Sequence, residues 1–287
     1  MDVQIISDDC KQYLLNADSN STKFDFTFLD PPFNQGKNYR NHNDCMLNDE
    51  YWNWMKDICS CVYNLSSSGA AIYFMQREKN AEYVMRVLRE SGWVFQNFIV
   101  WRKKTSAIPS TIRYSKSFQI IIYATKGNRP RVFNRLRIDP PLINGYAPRD
   151  NGIFVPDVWD DIRELTSGYF AGDEALRSKD GERAHKQQSP IALLLRMVLS
   201  STAPGDCVFD PFCGIGTTLV VASQLGRHSI GVEKDSVNIN HIKQRLNHIR
   251  PSDSLIKHRA VYACTPDLNE IWPTKTAIHT QPQLAIN

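Results

Sequence analysis

The order in which strand and helix patterns follow one another is the feature that most constrains the fold of this chain. Short apolar runs typical of buried strands alternate with longer segments of helical spacing. Such alternation predicts parallel strands with helices on both faces of a sheet. The predicted strands are 3–6, 23–30, 70–75, 93–101, 117–125, 206–210 and 228–233. We therefore predict an α/β fold with a doubly wound, mostly parallel seven-stranded sheet.

One pair of strands departs from the alternation. A basic loop, with no helical pattern, joins strand 93–101 to strand 117–125. This arrangement predicts a β-hairpin at one edge of the sheet. In doubly wound sheets, ligands bind at the carboxyl ends of the strands, near the point where the strand order reverses. We therefore expect the functional residues where strands end.

The composition limits the classes of protein to which this chain can belong. The 287 residues are 42% hydrophobic and 22% charged, which is typical of a soluble globular protein. No apolar run approaches the roughly 18 residues of a membrane span, and the N-terminus shows no secretory signal pattern. The seven cysteines are irregularly spaced and complete no metal site. These features predict reduced thiols, a cytoplasmic location and no membrane partner.

The net charge of +4 conceals an asymmetry. Ten lysines and arginines and no acidic residue lie between Arg102 and Arg137, so the remainder of the chain carries a net charge of −6. A solvated surface would explain such a run, but it also suits a nucleic-acid backbone. We expect these charges to gather near the outer end of the hairpin.

A glycine-containing loop follows the strand that ends at Asp210. The stretch FDPFCGIGTT (209–218) leads from this strand through Gly214 and Gly216 into a helix that starts at about Thr217. Glycines let a backbone approach a ligand closely, and a helix N-terminus favours an anion. The next strand ends in Glu233, where a carboxylate is well placed to accept both hydroxyls of a ribose. Together these features predict a nucleoside cofactor, although the full dinucleotide fingerprint is absent.

The other unusual strand end is FLDPPFN (28–34). Here a strand finishes in an acid, two prolines and an aromatic residue. With the loop at 209–218, this turn resembles the DNA amino-methyltransferases that use S-adenosyl-L-methionine, which modify adenine N6 or cytosine N4. The catalytic turn precedes the cofactor loop, an order similar to that of the beta class. The resemblance covers residues 3–250 and implies a Rossmann-like methyltransferase fold with circularly permuted motifs.

The resemblance implies a role for each residue of the turn. Asp30 and the carbonyl of Pro31 would accept hydrogen bonds from the exocyclic amine of the target base. Pro31 and Pro32 would hold these acceptors rigidly, which is how preorganised sites promote reaction. Phe33 would stack on a base flipped out of the duplex. No cysteine stands where enzymes that methylate carbon 5 of cytosine need one.

Other segments also match the family. SDDC (7–10) is similar to a segment near the cofactor adenine, IVWRKK (99–104) resembles a tryptophan-lysine strand, and HKQQSP (185–190) stands where the family has HPTQKP. Lys186 and Ser189 depart from that last pattern. The resemblance implies cofactor contacts from Asp9, Cys10, Asp30, His185, Gln188, Ser189, Asp210, Phe212, Gly214, Gly216, Thr217, Thr218 and Glu233.

The aspartate before the two prolines is the form usual in enzymes that modify adenine. We therefore expect site-specific methylation of adenine N6 in double-stranded DNA. The sequence leaves open cytosine N4 as the target, RNA as the substrate, and a non-catalytic protein that keeps the fold and binds nucleic acid. It also leaves open a homodimer and a cognate restriction endonuclease as partners.

The domain prediction follows the extent of the resemblance. We predict one catalytic domain over residues 1–250, with a target-recognition region inserted at about 103–117 and 138–184. The polar tail, 251–287, is weakly periodic and predicted to be loosely held. Candidate DNA contacts are Lys103, Lys104, Arg113 and Lys116.

Overall fold

The structure is a computed structural model of the whole chain. It describes residues 2–18, 23–36, 38–39, 42–104, 110–139, 150–165, 172–177, 180–181, 183–184, 187–273 and 283–286. Among these residues, no helix combines the length and the apolar composition needed to cross a bilayer.

A single large sheet organises the protein. Its strands are β1 (Asp2–Ile6), β2 (Phe24–Leu29), β5 (Ser66–Gln76), β6 (Val94–Arg102), β7 (Phe118–Thr125), β10 (Val158–Trp159), β11 (Cys207–Asp210), β12 (His228–Val232) and β13 (Gln283–Ile286). Their order across the sheet is β10-β6-β7-β5-β2-β11-β12-β1-β13. Two short antiparallel pairs are separate from it: β3 (Asn38–Tyr39) with β4 (His42–Asn43), and β8 (Arg137–Ile138) with β9 (Ile153–Phe154).

Helices cover both faces of this sheet. They are α1 (Cys10–Asn16), α2 (Asn48–Leu65), α3 (Ala81–Glu90), α4 (Ile191–Ser201), α5 (Thr217–Gln224), α6 (Ser236–Asn247) and α7 (Leu268–Ile271). The apolar side chains of α1, α2 and α3 pack on one face, and those of α4, α5 and α6 pack on the other. Alternate residues of each strand point to opposite faces, so Phe24 joins one core and Phe26 the other.

The predicted fold is confirmed. Seven consecutive strands, from β6 to β1 in sheet order, are the seven that the sequence pattern predicts, and only β7 among them runs antiparallel to its neighbours. β6 and β7 form the predicted hairpin. The sheet has two further strands: β10 pairs with β6 outside the hairpin, and β13 pairs with β1 at the opposite edge.

The basic segment does not gather at one end of the hairpin, contrary to our expectation. β6 ends at the carboxyl edge of the parallel strands, whereas β7 runs back and ends at the opposite edge. Residues 126–137 therefore begin far from the hairpin end. There, Lys126 Nζ donates to the carbonyls of Tyr63 and Ser66, and Arg131 forms ion pairs with two aspartates. These two cations stabilise the fold at that edge.

The C-terminal segment is not loose over residues 251–273, which corrects the prediction for this part of the tail. Two 3₁₀ helices, Pro251–Asp253 and Ile256–Tyr262, precede α7, and the side chains of Tyr262 and Trp272 are buried in the core. Asp253 is fully buried and accepts hydrogen bonds from both Arg245 and Arg250. A buried ion pair therefore fastens this segment to α6.

Replacing Asp253 tests this attachment. Asp253→Ala leaves the buried Arg245 guanidinium without its carboxylate, so we expect a loss of about 3–5 kcal/mol in the free energy of unfolding, measured by urea denaturation. Glu90→Ala is the control, because the pair of Glu90 with Lys56 is exposed to solvent and should contribute little to the free energy of unfolding. Equal losses in the two variants would contradict this account.

Candidate active site

A cavity of about 630 Å³ opens at the carboxyl ends of β1, β2, β11 and β12. Its volume lies within the range typical of small-molecule sites. The cavity brings together most of the site residues predicted from the sequence. These are Asp9, Cys10, Asp30, Pro31, Pro32, Phe33, Gln188, Ser189, Asp210, Phe212, Gly214, Thr217, Thr218 and Glu233.

The cavity lies where the strand order reverses. β2 and β11 are parallel neighbours, with Phe26 beside Val208 and Thr27 beside Phe209. From β2 the chain proceeds through α2 to β5 on one side, and from β11 through α5 to β12 on the other. A crevice therefore opens between the ends of these two strands, with Asp30 on one side and Asp210 on the other.

Side chains of α2 and β5 fix the acid-proline-proline turn. Tyr51, buried on α2, donates its hydroxyl to the carbonyl of Pro32 at 2.7 Å. The fully buried Gln76, at the end of β5, donates to the same hydroxyl oxygen at 3.0 Å. No described residue donates to the carbonyl of Pro31. Among the described residues, the two successive carbonyls of the turn therefore differ: Tyr51 donates to that of Pro32, and that of Pro31 has no donor.

The residues after the turn are held by a second contact. The buried Asp44 carboxylate accepts from the backbone N–H of Asn34 at 2.8 Å and of Gln35 at 3.0 Å. Asn34, in the left-handed region at φ 51°, exchanges two further hydrogen bonds with the backbone of Met46. The carboxyl end of the turn is thus tied to α2 and to the segment before it, which limits the movement of Asp30.

Ser189 reaches Asp30 from the opposite face of the sheet. The Ser189 hydroxyl donates to Asp30 Oδ2 at 3.2 Å. The neighbouring Gln188 is buried and hydrogen-bonded at both ends, to the backbone N–H of Leu176 and the carbonyl of Glu174. Ser189 thus orients the carboxylate of Asp30, while Gln188 fixes the local chain path.

The glycine loop closes over Asp210. Thr218 donates its hydroxyl to Asp210 Oδ2 at 2.5 Å, and the backbone N–H of Phe212 donates to Oδ1 at 3.1 Å. Burial nevertheless raises the pKa of Asp210 to about 7. Gly214 adopts φ 52°, a left-handed conformation that glycine takes without strain. The loop therefore surrounds the buried carboxyl group of Asp210 and is held to it by hydrogen bonds.

Glu233 follows β12 and faces the same cavity. Its Oε1 accepts the backbone N–H of Asp235 at 2.8 Å. Burial raises the pKa of Glu233, and hydrogen bonds from Asp235, Asn238 and Gly214 oppose that rise. The Glu233 carboxylate is a half-buried acceptor in the cavity wall, and it therefore suits a ligand with hydroxyl groups that can donate to it.

These features fit one protein family. A family model described as DNA methylase matches residues 24–244, which include both the turn at Asp30 and the loop at Asp210. The chain belongs to the DNA methylase family.

Curated relatives agree with this assignment. The chain is 29% identical to the type II methyltransferase M.HpaI of Haemophilus parainfluenzae over 250 residues, covering 86% of this chain and 75% of the relative. It is 26% identical to the type II methyltransferase M.HinfI of Haemophilus influenzae, covering 96% of this chain and 75% of the relative.

Solved structures share the fold of this DNA methylase. A complex of M1.HpyAVI with SAM has a TM-score of 0.61 at 23% identity, and the match covers 86% of this chain and 100% of that one. The PvuII DNA methyltransferase, described as cytosine-N4-specific, has a TM-score of 0.65 at 17% identity, covering 94% of each chain.

Some predicted site residues of this DNA methylase lie elsewhere. Gly216, expected to contact the cofactor, does not line the cavity. It adopts φ 76° and lies against Ile242 of α6. A Cβ atom on Gly216 would come within 2.9 Å of the Ile242 side chain. Gly216 therefore serves the packing of α5 on α6. His185 lies outside the described residues.

The candidate DNA contacts differ in exposure. Lys104 and Arg113 are exposed, whereas Lys103 is half-buried and Lys116 forms an ion pair with Glu78. All four lie in the hairpin end 103–117, on the same edge of the sheet as Asp30.

Sequence reasoning missed several residues of the cavity wall. Trp54 of α2 contacts Phe212 edge-on, with ring centroids 5.6 Å apart, but in the sequence it is one apolar position of an ordinary amphipathic helix. Lys234 and Asn238 follow Glu233, and Arg183 lies in a segment without periodicity. The position of Lys234 and Asn238 just after a strand-ending acid was the only signal that could have found them.

Among the described residues, no cluster suited to a metal ion is present.

The buried carboxyl group of Asp210 makes stability depend on pH. A carboxyl group with a raised pKa favours the folded state when protonated, and this contribution is lost as pH rises from about 4 to about 7. In Asp210→Asn the amide oxygen can accept from the Phe212 N–H and the amide N–H can donate to the Thr218 hydroxyl. This variant should remove a fall on the order of 4 kcal/mol over that window. Urea denaturation of the ligand-free protein at pH 4 and at pH 8 measures this change in the free energy of unfolding. Parallel pH dependences in wild type and variant would contradict the prediction.

Proposed function

We propose that this protein transfers a methyl group from S-adenosyl-L-methionine to the N6 amine of a flipped adenine in double-stranded DNA. The observation that carries the proposal is the shared cavity, in which the acid-proline-proline turn and the glycine loop face each other across the switch point. As a member of the DNA methylase family, the protein is a DNA methyltransferase. The choice of adenine and the roles of individual residues are our proposal.

The cavity residues fit the cofactor. S-adenosyl-L-methionine supplies a methyl group on a positively charged sulfur, joined to a nucleoside. Glu233 would accept the ribose hydroxyls, and Phe212 would cover the adenine ring together with the wall from Asp9 and Cys10. Gly214 would let the backbone approach the ligand closely. Asp9, Asp30, Asp210 and Glu233 line the wall with carboxyl groups, which suits a cationic ligand.

Asp30 would act on the nucleophile. The lone pair of an exocyclic amine is delocalised into the ring of its base. Hydrogen bonds from the amine to Asp30 and to the carbonyl of Pro31 would draw the lone pair out of conjugation and aim it at the methyl group. Ser189 holds the carboxylate, and Tyr51 with Asp44 holds the turn, so little reorganisation is needed.

Phe33 would support the base. It lines the cavity and belongs to the same apolar cluster as Met75 and Trp101. A flipped base is bound by stacking on such side chains and by hydrogen bonds to its polar edge. We assign Asp30, Pro31, Phe33 and Ser189 to one group, the target-base site.

The identity of the base rests on Asp30. Aspartate before the prolines supports adenine, while the family to which the chain belongs does not separate adenine N6 from cytosine N4. A decisive experiment transfers labelled methyl groups to unmethylated duplex DNA, duplex RNA and single strands, followed by digestion to nucleosides. We expect N6-methyladenine from duplex DNA. Labelled N4-methylcytosine would instead establish the alternative, and labelled RNA would overturn the choice of DNA.

DNA would approach the carboxyl edge of the sheet. The exposed Lys104 and Arg113 of the hairpin end would contact phosphates beside the flipped base. Residues 103–117 and 138–184 would form the target-recognition region of the catalytic domain, which includes the packed segment 251–273 after the predicted limit at 250. We expect the protein to act on DNA in the cytoplasm. A homodimer and a cognate restriction endonuclease stay open as partners.

Removing the carboxylate of Asp30 tests the chemistry. Asp30→Ala should lower the rate of methyl transfer by at least 100-fold, because the amine loses the acceptor that orients it. Binding of S-adenosyl-L-methionine, measured by calorimetry, should change little. Glu90→Ala, an exposed acid far from the cavity, is the control. Wild-type turnover in Asp30→Ala would remove this residue from the mechanism.

Removing the carboxylate of Glu233 tests the cofactor site. Glu233→Ala should weaken S-adenosyl-L-methionine binding by about 1–3 kcal/mol, the scale of hydrogen bonds to a charged group. Glu233→Gln, which keeps the shape and one acceptor oxygen, should weaken binding less. The measurement is calorimetric titration of each variant. If both variants bound like the wild type, the cofactor would lie elsewhere.

A further inference from the structure

The hairpin tip, residues 112–114, carries two apolar side chains that the protein itself does not cover. Among the described residues, Tyr114 and Ile112 are the most exposed large apolar side chains, with exposed fractions of 99% and 87%. Arg113 lies between them and is also exposed. Exposed apolar side chains that stand together mark a contact surface more often than isolated ones do.

The residues on either side of the loop that carries the tip are held in place. The backbone N–H of Lys103 donates to the carbonyl of Ser117 at 2.7 Å, which continues the β6–β7 pairing by one step. Lys116 forms an ion pair with Glu78, which lies in the 3₁₀ helix that follows β5. The exposed tip is therefore attached to a support that the sheet fixes.

The register of the sheet gives the position of the hairpin relative to the target-base site. Phe74 of β5 pairs with Leu29 of β2 on one side and with Ile122 of β7 on the other. Asp30 is one residue beyond this level, whereas β7 begins four residues beyond it, at Phe118. At about 3.3 Å per residue, the hairpin projects roughly 10 Å past the level of Asp30. It does so two strands away from β2, a lateral distance of about 10 Å.

The partner that fits this tip is duplex DNA. The tip belongs to the segment from Arg102 to Arg137, which contains ten cations and no acidic residue and so suits a polyanion. A base flipped into the target-base site leaves a gap in the stack of the duplex. Apolar side chains insert between bases in several classes of DNA-binding protein, and an aromatic ring stacks on any base.

We infer that Tyr114 inserts into the duplex and fills the gap that the flipped base leaves. Its ring would stack on the bases beside the gap, while Arg113 contacts a neighbouring phosphate. Filling the gap would stabilise the flipped state, so that more of the bound DNA has its base in the target-base site. This inference rests on the proposed function, because it requires a base flipped out of duplex DNA. Tyr114 is thus a positioning residue that does not touch the reacting atoms.

The test measures single-turnover methylation of two synthetic duplexes at saturating protein and cofactor. Sequencing of plasmid DNA methylated by the wild type first supplies the target site. One duplex has the normal base pair at the target, and the other has a mismatch opposite the target base, which makes flipping less costly. Tyr114→Ala should lower the rate on the normal duplex by about 10-fold, a loss within the range for base–aromatic stacking. On the mismatched duplex its rate should lie within about twofold of the wild type, because flipping no longer limits the reaction.

Two further variants serve as controls. Tyr114→Phe keeps the ring and should retain the wild-type rate on both duplexes. Phe95→Ala removes an exposed aromatic side chain at the opposite end of the same hairpin, where Phe95 pairs with Ala124. It should leave both rates unchanged. Binding of S-adenosyl-L-methionine by each variant, measured by calorimetry, verifies that the variant is folded.

The outcomes separate the inference from the proposed function. Equal losses of Tyr114→Ala on the two duplexes would overturn the inference, because they would assign Tyr114 to general DNA binding or to the chemistry. A wild-type rate of Tyr114→Ala on the normal duplex would overturn it as well, and in both cases the proposed function would stand. If the wild type methylated no duplex DNA, the proposed function would fail, and the inference with it.

Discussion

The pairing of β2 with β11 is the constraint on which the site depends. These strands are far apart in sequence yet lie side by side in parallel, so Asp30 and Asp210 emerge at one edge of the sheet. The chain leaves them in opposite directions, which opens the crevice between their ends. The pairing of these strands thus brings the acid-proline-proline turn and the glycine loop together. Any register shift between the two strands would separate the groups that must meet.

A turn with two prolines cannot be held by an ordinary strand ladder, because neither residue donates a backbone hydrogen bond. The structure supplies side chains instead: the Tyr51 hydroxyl on the carbonyl of Pro32, and the Asp44 carboxylate on the following amides. Both contacts come from elements later in the chain. The rigidity of Asp30 therefore depends on tertiary packing, and the prolines contribute by restricting the conformations open to the backbone.

Much of the fold and part of the site could be predicted from the sequence. Asp30, Asp210 and Glu233 each follow a recognisable apolar run, and strand ends in a doubly wound sheet share one edge. Tyr51 and Gln76 could not be predicted, because each is one buried position in a regular element until its partner is known. Gly216 shows a related limit: the glycine pattern of a cofactor loop does not reveal that one glycine lies against the neighbouring helix and outside the cavity lining.

The C-terminal segment shows how distant residues act on the site through shared partners. Asp253 holds Arg245, which donates to the carbonyl of Ile215 in the cofactor loop at 2.7 Å. Asp253 also accepts hydrogen bonds from Arg250, and Arg250 donates to the carbonyl of Glu174. The Glu174 carboxylate in turn accepts the backbone N–H of Ile191 at the start of α4, two residues after Ser189. One buried carboxylate outside the matched family region is therefore linked both to the cofactor loop and to the residue that orients Asp30. Neither arginine can lose its charge, so removing the Asp253 carboxylate would leave both without their acceptor and affect both halves of the site.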